Sequence, residues 1–91
     1  MEKFRDIFNK IQRANAHIKS SGFGERVALE EINNLIETTK SERSLIIQLN
    51  RLIRETEDLC ANAIDEDDYV AYNSAVKTYK EFKESIQKGK K

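Results

Sequence analysis

The chain has 91 residues with sixteen basic and sixteen acidic side chains, which fits one small domain; its zero net charge disfavours nucleic-acid binding, which usually needs a basic surface. Its single cysteine cannot form an internal disulfide, and no apolar run approaches the ~20 residues of a membrane-spanning helix. The amino terminus also lacks the continuous apolar block of a signal peptide, so we expect a cytoplasmic protein with no membrane contact.

An all-α fold is the simplest interpretation of the pattern. The chain contains no proline, and residues 25–88 contain no glycine. Apolar residues recur at intervals of three and four, which is the helical period. We predict a small antiparallel helical bundle of four helices, forming a single domain over residues 1–91 with a short basic C-terminal tail at 88–91.

The first two predicted helices are joined by a short turn rich in serine and glycine. Helix 1 spans about residues 2–20 and should end at residues 20–24, where glycine can close a helix. Helix 2 begins near Glu25 and should run antiparallel to helix 1, because the turn is short. Its inner face comprises Ala28, Leu29, Ile32, Leu35 and Ile36.

Two possible folds differ in whether the helix breaks at residues 38–41. Thr39 followed by Glu42 is a capping-box pattern, which would end helix 2 and start another helix. The alternating spacing of four and three residues nevertheless continues without a shift through this segment, as it would in one continuous helix. The alternative fold therefore has three helices, with one long central helix forming a coiled-coil hairpin or dimer. We favour the break, because Thr39 and Glu42 would place polar groups in the seam.

The stretch from Leu45 to Ala63 has the broadest apolar face of the chain. Because this face is nearly three positions wide, we expect the helix to contact two neighbours and to occupy the middle of the bundle. Its first half should form the centre of the core, and its last turns should lie among acidic residues. The apolar positions are Leu45, Ile46, Leu49, Leu52, Ile53, Leu59, Cys60 and Ala63.

The last predicted helix follows an acidic run at residues 65–68 and extends to about Gln87. Asp65 should be its N-cap, with the other carboxylates near the positive end of the helix dipole. Its apolar stripe is typical of a core, although Tyr69 and Tyr72 could instead anchor an interface. The stripe consists of Tyr69, Tyr72, Val76, Tyr79, Phe82 and Ile86.

An up-down bundle also predicts which residues meet at each end. Two phenylalanines of helix 1 should meet the end of helix 4, and the residues around the first turn should approach the start of helix 4. The first set is Phe4 and Phe8 with Tyr79, Phe82 and Ile86, and the second is Ile18 and Phe23 with Ile64 and Tyr69.

Charge is distributed unevenly along the chain. Residues 55–68 carry seven acidic side chains and no basic one, whereas residues 77–91 carry six lysines and two glutamates. In a bundle, an acidic end would lie opposite a basic end. Each block would stabilise the helix ends that it flanks, or one end would bind a partner of opposite charge.

We therefore predict a protein-binding regulator or adaptor whose partner is another protein of unknown identity, with self-pairing as a homodimer left open. The candidate protein-binding residues are Glu55, Glu57, Asp58, Asp65, Glu66, Asp67, Asp68, Tyr69 and Tyr72. The alternative is a small nucleic-acid-binding regulatory protein that uses the basic end. Its candidate residues are Lys3, Arg5, Lys40, Arg43, Lys88, Lys90 and Lys91.

Other classes of site are disfavoured by the residues available. His17 and Cys60 could form a reactive pair only if their helix ends meet, and together they cannot complete a zinc shell. The acidic run lacks the glycine of a calcium loop and has Val76 where a distal acid is needed. A helix-turn-helix motif is a weak match, because Ile18 stands where alanine is usual. We expect no enzyme, no cofactor, no metal and no small-molecule substrate.

Overall fold

A computed structural model describes residues 4–10 and 23–88. Residues 4–10 are helical and are called α1; α2 (Phe23–Thr38), α3 (Glu42–Ala61) and α4 (Glu66–Lys88) follow. These described residues contain no strand, and the predicted all-α bundle of four helices is confirmed. The remainder of predicted helix 1, the turn residues 20–22 and the tail beyond residue 88 lie outside them.

The break between helices 2 and 3 is present, so one long central helix is excluded. α2 ends at Thr38 and α3 begins at Glu42. The cap is Ser41 rather than Thr39: the Ser41 hydroxyl accepts a hydrogen bond from the Ser44 backbone N–H at 3.1 Å. The Thr39 hydroxyl instead donates to the Leu35 carbonyl at 2.6 Å, which extends the end of α2. The capping-box prediction was therefore wrong by two positions.

The buried core contains residues from all four helices. Its members are Phe4, Phe8, Ala28, Ile32, Ile36, Leu45, Leu49, Ile53, Ala75, Val76, Tyr79, Phe82 and Ile86. The two phenylalanines of α1 belong to the same buried cluster as Tyr79, Phe82 and Ile86 of α4. Leu45 and Leu49 are fully buried, which confirms that the first half of α3 belongs to the centre of the core.

Among α2, α3 and α4, the central helix is α4 and not α3. α4 packs along both α2 and α3, whereas α2 and α3 hardly contact each other. The reason is the width of the buried face. α4 buries the adjacent pairs Ala75–Val76 and Thr78–Tyr79, which point to two sides of the helix, whereas beyond Ile53 the buried stripe of α3 continues only at Thr56. The prediction that α3 occupies the middle was wrong.

α1 packs beside the second half of α2 through Arg5. The Arg5 guanidinium donates a hydrogen bond to the Asn33 side-chain oxygen, lies 3.7 Å from the Glu37 carboxylate and sits over the Phe8 ring, 5.9 Å from its centroid. Asn9, one turn further along α1, lines a cavity with Arg26 and Glu30 nearer the beginning of α2, so the described part of α1 is antiparallel to α2, as the sequence predicts.

α2 begins at Phe23, two residues before the predicted start, so Gly24 lies inside its first turn. Gly24 is buried against α4. A Cβ atom at this position would lie 2.9 Å from the Ala71 Cα and closer still to the Ala71 carbonyl carbon and oxygen. Gly24 is therefore needed for close contact between two helix backbones, and not only for a turn.

Candidate functional site

Exposed apolar side chains concentrate at the end of the bundle where α2 begins, α3 ends and α4 begins. Six large hydrophobic residues are exposed in the described part of the chain, and five of them lie here: Val27, Leu59, Ile64, Tyr69 and Val70. The sixth, Ile47, lies in the first half of α3. Such a concentration on a small domain is typical of a binding surface.

An apolar groove of about 170 Å³ lies between α2 and α3, over the surface of α4. We call it the acidic-end groove. α2 and α3 are connected at the opposite end by residues 39–41 and hardly touch, so a gap remains between them here. The lining residues are Gly24 and Val27 from α2, Thr56 and Leu59 from α3, and Ala71, Tyr72, Ala75 and Tyr79 from α4.

A second cavity of about 370 Å³ joins this groove to the acidic residues. Leu59 and Tyr72 line both cavities, which makes the two spaces neighbours. The remaining residues of the second cavity are Asn62, Ala63, Ile64, Asp65 and Asp68. The structure therefore places two of the predicted acidic residues beside an apolar groove that the sequence did not reveal.

The seven predicted acidic residues are all exposed. Within the described ranges, ion pairs engage two of them: Glu55 lies 3.0 Å from Arg51, and Glu57 lies 3.5 Å from Lys80 of α4. The Asp65 carboxylate accepts a hydrogen bond from the Asp67 backbone N–H at 3.0 Å, which confirms it as the cap of α4. The other acids add negative charge to the surface around the groove. They are Asp58, Glu66, Asp67 and Asp68.

The tyrosine stripe of α4 has two different parts. Tyr79 is buried in the core, Tyr72 is half-buried in the wall of the groove, and Tyr69 is exposed. The expected packing around Ile64 is wrong, because this residue is fully exposed in the link between α3 and α4. Ile18, its predicted neighbour, lies outside the described residues. Tyr69 and Tyr72 are therefore available for an interface in a way that Tyr79 is not.

Tyr79 keeps the inner end of the groove uncharged. Desolvation by burial, followed by the nearby Glu31 carboxylate, raises the pKa of Tyr79 to about 12. Its side chain is 3% exposed, so ionisation would place a phenolate in the core. The phenol is neutral at neutral pH, as any tyrosine is, and its raised pKa keeps it neutral to a higher pH than an exposed tyrosine.

Four of the seven basic candidate residues lie within the described part of the chain. Lys40 and Arg43 are exposed beside the link between α2 and α3, and Lys88 is exposed at the end of α4. Arg5 is committed to Asn33 and Glu37. Lys3, Lys90 and Lys91 lie outside the described residues.

Sequence reasoning missed most of the groove, since its residues are not chemically distinctive. Val27 lies off the inner face of α2, and Thr56 reads as a polar interruption of the α3 stripe. Besides Leu59 and Tyr72, the usable signal was the pair of small residues Ala71 and Ala75, which are spaced by about one helical turn. That signal becomes meaningful only once the packing of α2 and α3 on α4 is known.

The remaining candidate groups of the sequence are Cys60 and His17. Cys60 is a half-buried free thiol whose sulfur lies 3.7 Å from the Tyr69 carbonyl oxygen, whereas His17 is outside the described residues. Over residues 4–10 and 23–88, no cluster of three metal-ligating side chains occurs. In the same part of the chain, no helix has the length and apolar character needed to cross a membrane.

The chain was also compared with known proteins. No protein-family model, curated protein or solved structure gives a significant match.

Proposed function

We propose that this protein is a binding module, a regulator or adaptor that recognises another protein through the acidic-end groove. The observation that carries the proposal is the position of an apolar groove directly beside exposed carboxylates. Leu59 and Tyr72 line both the groove and the cavity that contains Asp65 and Asp68. Protein interfaces commonly have an apolar core surrounded by a polar, solvent-accessible rim.

The exposed apolar residues supply a driving force for association. Leu59 is 51% exposed and Val27 is 38% exposed. Complete burial of such a side chain contributes roughly 1.5–3 kcal/mol, so covering the part that is still exposed would contribute on the order of 1 kcal/mol per residue. The carboxylates would add orientation and speed of association more than affinity.

A photo-crosslinking experiment in the native host tests the proposal. A photoreactive phenylalanine analogue would replace Leu59 in one variant and Ile47 in a second, because both residues lie on α3 and are similarly exposed. We expect the Leu59 variant to capture a discrete protein and the Ile47 variant not to. Charge reversal at Glu57 and Asp58 should reduce that capture while leaving the far-ultraviolet circular dichroism unchanged.

Equal capture at both positions, or none at Leu59, would contradict a binding surface at the acidic end. Equal loss of helicity from charge reversal and from Leu52→Asp would mean that the acidic end is structural. Leu52→Asp is the reference because Leu52 packs against the core.

Nucleic-acid binding is the second candidate, supported by the exposure of Lys40, Arg43 and Lys88. Fluorescence anisotropy with labelled DNA and RNA at two salt concentrations tests it. Phosphate contacts would give binding that weakens steeply with salt. Absence of binding at low salt would eliminate this candidate.

Self-pairing as a homodimer is part of the proposed function that light scattering can test. A mass that rises with protein concentration would support it. A monomer mass at every concentration would remove the homodimer while leaving binding to a different protein intact.

A further inference from the structure

We propose that the acidic-end groove binds an amphipathic helix of another protein, with a large apolar side chain inserted between α2 and α3 and lysine or arginine on the flanks. This inference rests on the proposed function and specifies the partner's chemistry. It depends on the shape of the groove and on the charge beside it.

The shape of the groove suits a helix. Its two sides are helices that carry Val27 and Leu59, and its base is a third helix, α4, with small residues at Ala71 and Ala75. A volume of about 170 Å³ gives room for an apolar anchor side chain. Grooves between helices typically accept an amphipathic helix whose anchors recur at intervals of three and four residues. The bound helix would cover Leu59 and Val27 together.

The charge beside the groove selects a basic helix. Asp65 and Asp68 line the adjoining cavity. The ion pairs of the described residues leave these two carboxylates without a cationic partner. A lysine or arginine on the bound helix would meet them, whereas a glutamate would be repelled. The acidic surface therefore distinguishes basic from acidic helices with the same apolar face.

A second copy of this chain is the principal competing occupant. Ile47 is exposed on α3 and lines a cavity with Arg51, Arg54 and Glu55, of which Arg51 and Glu55 form an ion pair. This surface also combines an apolar residue with cations. Its contact with the groove would join different faces of two copies and, unless it closed into a ring, would give an open-ended assembly rather than a closed dimer. The measurements must therefore separate self-association from peptide binding.

Three fluorescent model peptides test the proposal with the full-length chain. The first has leucines at helical spacing and lysines elsewhere, the second replaces the lysines with glutamates, and the third scrambles the leucines of the first. In anisotropy titrations, we expect the first peptide to bind about tenfold or more tightly than either control. Its affinity should fall as salt is raised, because the flanking charges are exposed.

Variants of the chain locate the binding site. Leu59→Asp should weaken binding of the first peptide about tenfold, because it places a charge where an apolar anchor must pack. Ile47→Asp is the matched control and should leave the affinity unchanged. Asp68→Lys should weaken the lysine peptide and strengthen the glutamate peptide, which tests the charge contribution separately. Circular dichroism would show that each variant keeps its helicity.

Several results would overturn the inference. Equal binding of the lysine and glutamate peptides would refute charge selection, and equal weakening by Ile47→Asp and Leu59→Asp would place the site elsewhere. A protein mass that rises with concentration, and that either α3 variant reduces to a monomer, would identify a second copy as the occupant.

The same measurements distinguish this inference from the proposed function. Capture of a protein at Leu59 without binding of any model peptide would leave a protein-binding module and refute a helical basic partner. Binding of the lysine peptide without capture of a cellular protein would support a groove that accepts basic helices but would contradict the proposed function.

Discussion

The two ends of this bundle differ in how completely they bury their apolar residues. Near the end of α4, Phe82 and Ile86 are fully buried in one cluster with Phe4 and Phe8. Near its beginning, the residues that face α2 and α3 are Ala71, Tyr72 and Ala75, and a groove remains. We call the first region the closed end, and the second region, which contains the acidic-end groove, the open end. The small side chains of Ala71 and Ala75 leave a groove between α2 and α3, whereas Phe82 and Ile86 belong to the packed core at the other end of α4.

The open end is also where the chain concentrates negative charge. Seven acidic residues fall within residues 55–68, and all of them are exposed. Mutual repulsion among them works against closer packing of the adjoining helix ends, while the N-terminus of α4 is stabilised by its neighbouring carboxylates. Exposed apolar area and unneutralised charge thus occur together, which is the combination expected of a surface reserved for a partner.

The largest expected effect comes from truncating the closed end. Phe82→Ala should destabilise the domain by about 3–5 kcal/mol, because it removes a fully buried aromatic side chain and leaves a cavity. Leu59→Ala at the open end should cost only about 1 kcal/mol, since half of Leu59 is exposed. Urea unfolding followed by circular dichroism measures both. Similar losses in the two variants would remove the distinction between the ends.

Gly24→Ala should be the most damaging small substitution at the open end. The added methyl group would overlap the Ala71 backbone, and shifting two helices apart should cost about 1–3 kcal/mol despite alanine's higher helix propensity. Ala71→Gly should not rescue the variant, because the overlap involves main-chain atoms. Urea unfolding of the single and double variants checks this, and rescue would show that the Ala71 side chain sets the separation.

Alkaline pH should destabilise the domain through Tyr79, which links the core to the groove. The pKa of Tyr79 is about 12 in the folded protein and near 10 in the unfolded chain. The free energy of unfolding should therefore be unaffected by this residue below pH 10 and should fall as the pH rises from 10 to 12. The loss attributable to this residue should be on the order of 2 kcal/mol. Tyr79→Phe should remove that part of the pH dependence. Unfolding free energies of both proteins across this range, with phenolate absorbance, provide the measurement.

The smallest expected effect concerns the link that holds α2 and α3 together at the closed end. Ser41→Ala should cost about 1 kcal/mol, because it removes the oxygen that accepts the Ser44 N–H. Thr39→Ala should cost less, since the Thr39 hydroxyl bonds only within the end of α2. A comparison of urea midpoints tests this order. The reverse order would restore the capping box predicted at Thr39 and Glu42.

The sequence predicted the fold well because the fold depends on periodic burial. The helical rhythm of Leu45, Leu49 and Ile53 indicated a buried face, and the acidic run indicated the cap at Asp65. Both are local signals, readable within one or two turns. The boundary at Ser41 was less accessible, because Thr39 and Ser41 are both competent caps, and the sequence does not show that the Thr39 hydroxyl bonds back to the Leu35 carbonyl.

The candidate site could be predicted only in part. Its charged rim was visible as a run of carboxylates, but the groove depends on how α2 and α3 are placed against α4. The placement of α3 in the middle was wrong because the apolar width of an isolated stretch does not show which helix buries adjacent positions. Ala75 and Thr78, which widen the buried face of α4, are weak signals in a sequence. Groove residues such as Val27 and Thr56 acquire meaning only from that arrangement.

Because of the contact between Gly24 and Ala71, the α2 side of the groove is held more firmly than the α3 side. The Ala71 backbone lies so close to Gly24 that α2 cannot move closer to α4. The end of α3 is held by side chains, among them the exposed pair of Glu57 and Lys80. We therefore expect the end of α3, and not α2, to move when the groove binds partners with side chains of different size. The position of a bound partner would then be set by α2, and the width of the groove by α3.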